Sequence, residues 1–144
     1  MKGKTSRKSL KARCVLLGVL LCATLHQSTA RQMDKCQLAR ELMRHGMPEH
    51  ELADWLCLAD HESRYDTGAV GRLNGDRTVD HGLFQISDLY WCDWSREEPQ
   101  RSYRNLCRAS CDDFRDDDIT NDLACVRQIF DEHKRLQGNG FMAW

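Results

Sequence analysis

The sequence predicts an α+β domain: a helical lobe and a small antiparallel β-hairpin lobe with a cleft between them, stapled by disulfides. Three observations carry that reading. Apolar residues recur at helical spacing in three stretches, 36–43, 48–59 and 119–130. Between the second and third lies a polar, turn-rich stretch, 69–86, built around an Asn74-Gly75 turn signal. Six cysteines follow residue 31, and in a secreted domain of this size cysteines read as disulfides.

The first thirty residues stand apart. Residues 1–13 hold six Lys and Arg and no acid, residues 14–25 are apolar, and Ser28-Thr29-Ala30 supplies small residues at a cleavage site. Twelve apolar residues fall short of the roughly 20 that cross a bilayer. The expected layout is a signal peptide over 1–30, a domain over 31–144, and a secreted, extracellular product. Six of the 21 bases and none of the 22 acids precede Arg31, so the domain carries 15 bases against 22 acids, a net charge of −7. That balance argues against nucleic acid and anionic membranes as partners.

The elements follow in order. In the first helix Leu38, Leu42 and Met43 are expected on one buried side, with Gly46 ending it. The second starts near Pro48, a good first-turn residue, and buries Leu52, Trp55, Leu56 and Ala59. Thr78-Val79 and Leu83-Phe84-Gln85-Ile86 read as strands of the hairpin unit. From Trp91 to Asp118 the chain reads as loop. Ile119, Leu123, Val126 and Phe130 then mark the third helix, flanked by Ile129 and stopped at Gly138. The histidines are scattered and expected to be exposed. Zinc competes with disulfides for the cysteines, but no Cys-x2-Cys pair has a partner pair. Six cysteines allow fifteen pairings, and spacing does not choose among them.

Glu62 ends the apolar run of the second helix, and Asp80 lies eighteen residues on, beyond the Asn-Gly turn. Two carboxylates on two elements facing one cleft is what acid-assisted cleavage of a glycosidic bond needs. One stays protonated in an apolar setting, the other ionised in a polar one. Two acids among 22 are weak evidence by spacing alone; the surrounding residues are stronger. Cys57-x4-Glu62, then Thr78-Val79-Asp80-His81-Gly82-Leu83-Phe84-Gln85-Ile86-Ser87, then Tyr90-Trp91-Cys92 resembles the c-type lysozymes, insect members most closely. The likeness runs from the first helix to Gly138-Asn139-Gly140-Phe141-Met142-Ala143-Trp144.

The resemblance implies a lysozyme-like fold and a glycoside hydrolase acting on β-1,4 bonds of bacterial cell-wall polysaccharide, with chitin oligomers as a further substrate class, in a monomer that requires no cofactor. Glu62 matches the general acid and Asp80 the nucleophile or charge stabiliser; lysozyme is itself the worked case behind both roles. Trp144 matches the tryptophan that walls the acid, and an indole there desolvates the carboxyl and raises its pKa. Asn74 and Gln85 match polar residues of the cleft, and Tyr90 and Trp91 an aromatic sugar platform; packing in the core is the alternative for Trp91. Ser87 stands where many relatives have Asn, and His81 where many have Tyr. The same fold also serves non-catalytic binding modules, which do not keep both acids.

The resemblance further implies the pairs Cys92–Cys111 and Cys107–Cys125. It implies a chain short at its C-terminus, because the family's partners of Cys36 and Cys57 follow the cleft tryptophan. Cys36 and Cys57 are then free thiols, paired with each other, or paired with another chain. Finally, residues 111–122 resemble the calcium loop of α-lactalbumin and calcium-binding lysozymes. On that match Asp116, Asn121 and Asp122 coordinate a structural calcium by side chain, and Asp113 and Asp118 by backbone carbonyl. Acids at a helix start are also favoured as caps without any ion.

Overall fold

A computed structural model describes residues 29–72, 74–97, 99 and 103–144. Most of the expected leader, residues 1–28, lies outside the described residues.

Three α-helices are present among the described residues: α1 (Lys35–Arg44), α2 (Leu52–Ser63) and α3 (Thr120–Gln137). Helix α1 begins with a reciprocal cap. The Asp34 carboxylate accepts from the Gln37 N–H at 2.8 Å and the Gln37 side-chain oxygen accepts from the Asp34 N–H at 3.1 Å. Leu38 and Leu42, one turn apart, are fully buried. Met43, expected beside them, is 53% exposed. At 3.6 residues per turn it points about 140° away from Leu38, so the stripe passes it by.

A single 3-10 turn, Glu49–Glu51, follows Pro48 and leads into α2. Trp55 on α2 is the centre of the core. Its ring meets Phe84 at 5.9 Å, Phe141 at 4.8 Å and Trp144 at 5.8 Å, all edge-to-face. Its indole N–H donates to the buried Glu51 carboxylate at 3.3 Å, which also accepts from Arg127 at 2.9 Å. Those two donors offset the cost of burying a carboxylate. Helix α3 buries Leu123, Val126, Ile129 and Phe130, with Ile119 just before it. It ends at Gly138 in the left-handed region, φ +83°. A 3-10 turn, Gly140–Ala143, then folds back onto α3. A side chain at Gly140 would meet the Phe130 ring at 2.3 Å, so only glycine allows that return.

The second lobe is a three-stranded antiparallel sheet of two-residue strands, β1 (Val70–Gly71), β2 (Asp80–His81) and β3 (Ile86–Ser87). Gly71, Asp80 and Ser87 align across it, as do Val70, His81 and Ile86. The expected strands are displaced. Thr78-Val79 precedes β2, and Leu83, Phe84 and Gln85 form the turn between β2 and β3. The cause is backbone conformation: Gly82 and Gln85 take φ of +73° and +48°, which no strand accommodates. Leu83 and Phe84 are apolar because they plug the core, not because they pleat. Gly82 is fixed twice over, since a Cβ there would lie 1.7 Å from the Phe114 carbonyl oxygen.

Cys92–Cys111 and Cys107–Cys125 are bonded. Cys36 and Cys57 are exposed and unpaired among the described residues. His81 departs from the expected exposure of the histidines: it has no exposed surface. Its position in the inner row of the sheet puts it edge-on against Trp94, ring centroids 4.3 Å apart. Among the described residues no helix is long and apolar enough to cross a membrane.

Candidate active site

Glu62 is the next-to-last residue of α2, and Asp80 opens β2. Two hydrogen bonds clamp these elements together at the hairpin turn. Ser63, next to Glu62, donates its hydroxyl to the Leu83 carbonyl at 2.8 Å. Trp144 donates its indole N–H to the Phe84 carbonyl, also at 2.8 Å. The chain's last residue and the end of α2 thus grip one turn, and the two acids line the space beside it.

That space is a cleft of about 250 Å3. Glu62, Asp80, Gln85, Ser87, Trp91 and Trp144 all line it, so six of the expected site residues converge. Asn74 is placed behind Asp80: its Nδ2 donates to Asp80 Oδ2 at 2.7 Å. Ser87 turns its hydroxyl to its own backbone and accepts from the Leu89 N–H at 3.3 Å. Gln85 donates to the Gly82 carbonyl at 2.9 Å, leaving its carbonyl oxygen near Gly71. Tyr90 is not brought to the cleft wall; it is 42% exposed, with the Arg104 guanidinium 5.3 Å from its ring centroid. Neighbouring positions of the turn face different ways, so Trp91 enters the cleft while Tyr90 leaves it.

Ile86, Ile129 and Ala143 complete the lining and were not among the expected site residues. Their signal was indirect. Ile129 flanks the α3 stripe, and Ile86 and Ala143 adjoin expected site residues. They make the wall near Glu62 apolar. Burial raises the Glu62 pKa above the ordinary value, the Asp80 charge raises it further, and His61 opposes them. The outcome is a carboxyl whose pKa is raised, facing a hydrogen-bonded carboxylate across an aromatic-walled cleft. Such a pair can protonate a leaving oxygen while an anion stands by the carbon it leaves.

The acidic loop, the match to a calcium loop, carries hydrogen bonds of its own. Asn121 Nδ2 donates to the Asp113 carbonyl at 2.7 Å, so a donor occupies one of the carbonyls the ion would need. Asp116 and Asp118 accept from the backbone N–H groups of Asp118 and Thr120 at 2.8 and 3.1 Å. Asp122 is buried, with Oδ1 lacking a partner among the described residues. The loop is thus closed by its own hydrogen bonds, with Asp122 Oδ1 left toward its centre.

Comparison with known proteins agrees with the geometry. The model of the C-type lysozyme/alpha-lactalbumin family matches residues 31–144. Lysozyme P of Drosophila melanogaster is 42% identical over 135 residues, 94% of this chain and 88% of that protein. Lysozyme C-1 of Mus musculus is 37% identical over 131 residues, 89% of this chain and 84% of that protein. A crystal structure of a lysozyme from Litopenaeus vannamei superposes with a TM-score of 0.70 at 33% identity, over 79% of this chain and 83% of that one. A family match across the whole of 31–144 and a shared fold together make this chain a member of the C-type lysozyme/alpha-lactalbumin family.

Proposed function

We propose that the protein is a secreted lysozyme, a monomeric glycoside hydrolase that cuts β-1,4 bonds of bacterial peptidoglycan and so lyses bacteria. The observation that carries this is the pair Glu62 and Asp80 lining one cleft, with Glu62 pushed toward its protonated form. Glu62 gives its proton to the glycosidic oxygen as that bond breaks. Asp80 takes the developing positive charge at the sugar carbon and bonds to it from the opposite face. Water then attacks that carbon, Glu62 accepts the water's proton, and Asp80 leaves. Two displacements give retention of configuration. Trp91 and Trp144 offer ring faces to the sugar, and Gln85 and Ser87 offer polar groups. Chitin oligomers share the linkage and are a second substrate class. The proposed reaction requires no cofactor.

The test is clearing of a bacterial cell-wall suspension by the folded protein and by Glu62→Gln. The unmodified protein is expected to clear it, and the variant to fold normally and clear nothing. A well-folded unmodified protein that clears neither cell walls nor chitin oligomers overturns the reading.

A further inference from the structure

Asp88 is fully buried and does not line the cleft, and the reaction above makes no use of it. It follows Ser87, the residue that faces Asp80 across the sheet. Its backbone N–H donates to the Val79 carbonyl at 2.9 Å, and its Oδ1 accepts from the Val79 N–H at 3.1 Å. In a regular antiparallel ladder such a pair exchanges both bonds through the backbone. Here the carboxylate stands in for the Asp88 carbonyl. The two strands are therefore tied one residue beyond Asp80, while the chain after Ser87 turns away from the sheet. In that turn the Leu89 N–H donates to the Ser87 hydroxyl at 3.3 Å and the Trp91 N–H to the Ser87 carbonyl at 3.2 Å. The turn delivers Trp91 to the cleft.

We propose that Asp88 is a positioning residue, whose carboxylate fixes Asp80 relative to Glu62 and sets the turn that places Trp91 on the sugar path. The proposal rests on the lysozyme reading and adds a residue to it. The other side-chain ties near Asp80 are local. Asn74 holds Asp80 at 2.7 Å and the Thr78 hydroxyl at 2.9 Å, and Asp76 holds the Thr78 N–H at 3.0 Å. Those bonds join β2 to its own preceding turn, so they move with it. The Asp88 bond joins β2 to β3, and the turn between these strands is gripped from α2 by Ser63. Glu62 adjoins Ser63, so the path from one acid to the other runs through ordered backbone. A buried carboxylate is costly unless hydrogen-bonded, and its bond to an N–H is of the stronger, charge-assisted kind. Without it the buried Val79 N–H loses its partner.

The experiment compares Asp88→Ala with Asp88→Asn in the whole chain. Both remove the same charge, and only asparagine keeps an oxygen that can accept from Val79. A difference between them therefore reports geometry. Three quantities are read: the titration midpoint of labelled Glu62, binding of a chitin trisaccharide, and the rate of cell-wall clearing. In Asp88→Ala the Glu62 midpoint should fall part-way, because the Asp80 charge helps to raise it. Trisaccharide binding should weaken, and clearing should slow by up to about 100-fold, the loss that a misplacement of about 1 Å can cause. Asp88→Asn should stay close to the unmodified protein in all three. Should the alanine variant not fold, Asp88→Ser takes its place, its shorter hydroxyl giving a smaller loss in the same direction. A folded variant without the acceptor that keeps the Glu62 midpoint and the clearing rate overturns the proposal. So does an asparagine variant that loses as much as alanine. The midpoint is read without turnover, so an unmodified protein that clears nothing would sink the lysozyme reading and still leave the role of Asp88 to be measured.

Discussion

Acid should weaken this fold through one residue, His81. It is fully buried, and neither ring nitrogen has a hydrogen-bond partner among the described residues. Burial first, then the charges of Arg115 and Arg72, lowers its pKa from 6.5 to about 4. The unfolded chain therefore takes up the proton more readily than the folded one. Stability from neutral His81 is complete above pH 6.5 and drains as pH falls from 6.5 toward 4. The full shift corresponds to about 3 kcal/mol, and the part lost between pH 7 and pH 5 to about 2 kcal/mol. For a domain of this size that is roughly 6–12 °C in Tm. Other groups titrate over the same range, so the comparison is between the unmodified protein and His81→Phe. Phenylalanine keeps a ring against Trp94 and removes both unpartnered nitrogens. The variant should be at least as stable at pH 7 and lose less on going to pH 5, by about 2 kcal/mol. Thermal melts at the two pH values read this directly. Equal Tm losses in both proteins refute the reasoning.

Two further outcomes follow from the same geometry. Trp144→Ala removes an indole wall of the cleft and the bond to the Phe84 carbonyl. Because burial is the largest cause of the raised Glu62 pKa, the alkaline limb of the activity profile should move to lower pH. An unmoved limb would assign that burial to other residues. Millimolar calcium should leave the Tm unchanged at fixed pH, because Asn121 already satisfies the Asp113 carbonyl; a rise of several degrees would show that the loop binds an ion.

What the sequence revealed, and what it hid, follows from the range of the signals. Helical stripes are local, so α2 and α3 were legible from Trp55, Leu123 and Val126. Met43 was misjudged because one residue of slip along a helix is about 100° of rotation. The hairpin was legible from Asn74-Gly75, but its strands were not. Leu83 and Phe84 are apolar for the sake of Trp55 across the molecule, and no local pattern distinguishes that from a pleat. The acids were legible only through the motifs around them. The hydroxyl of Ser63 and the indole N–H of Trp144 reach 20 and 60 residues along the chain to hold the turn, and nothing local announces such reach. His81 sits in a polar-looking run and is buried because β2 turns it inward.

Glu62 is held above the ordinary glutamate pKa first by burial and then by the Asp80 charge. NMR titration of labelled Glu62 measures this directly, in the unmodified protein and in Asp80→Asn. A midpoint above the ordinary glutamate value that falls part-way when Asp80 loses its charge is the expected result. An ordinary midpoint, indifferent to Asp80, would contradict the account.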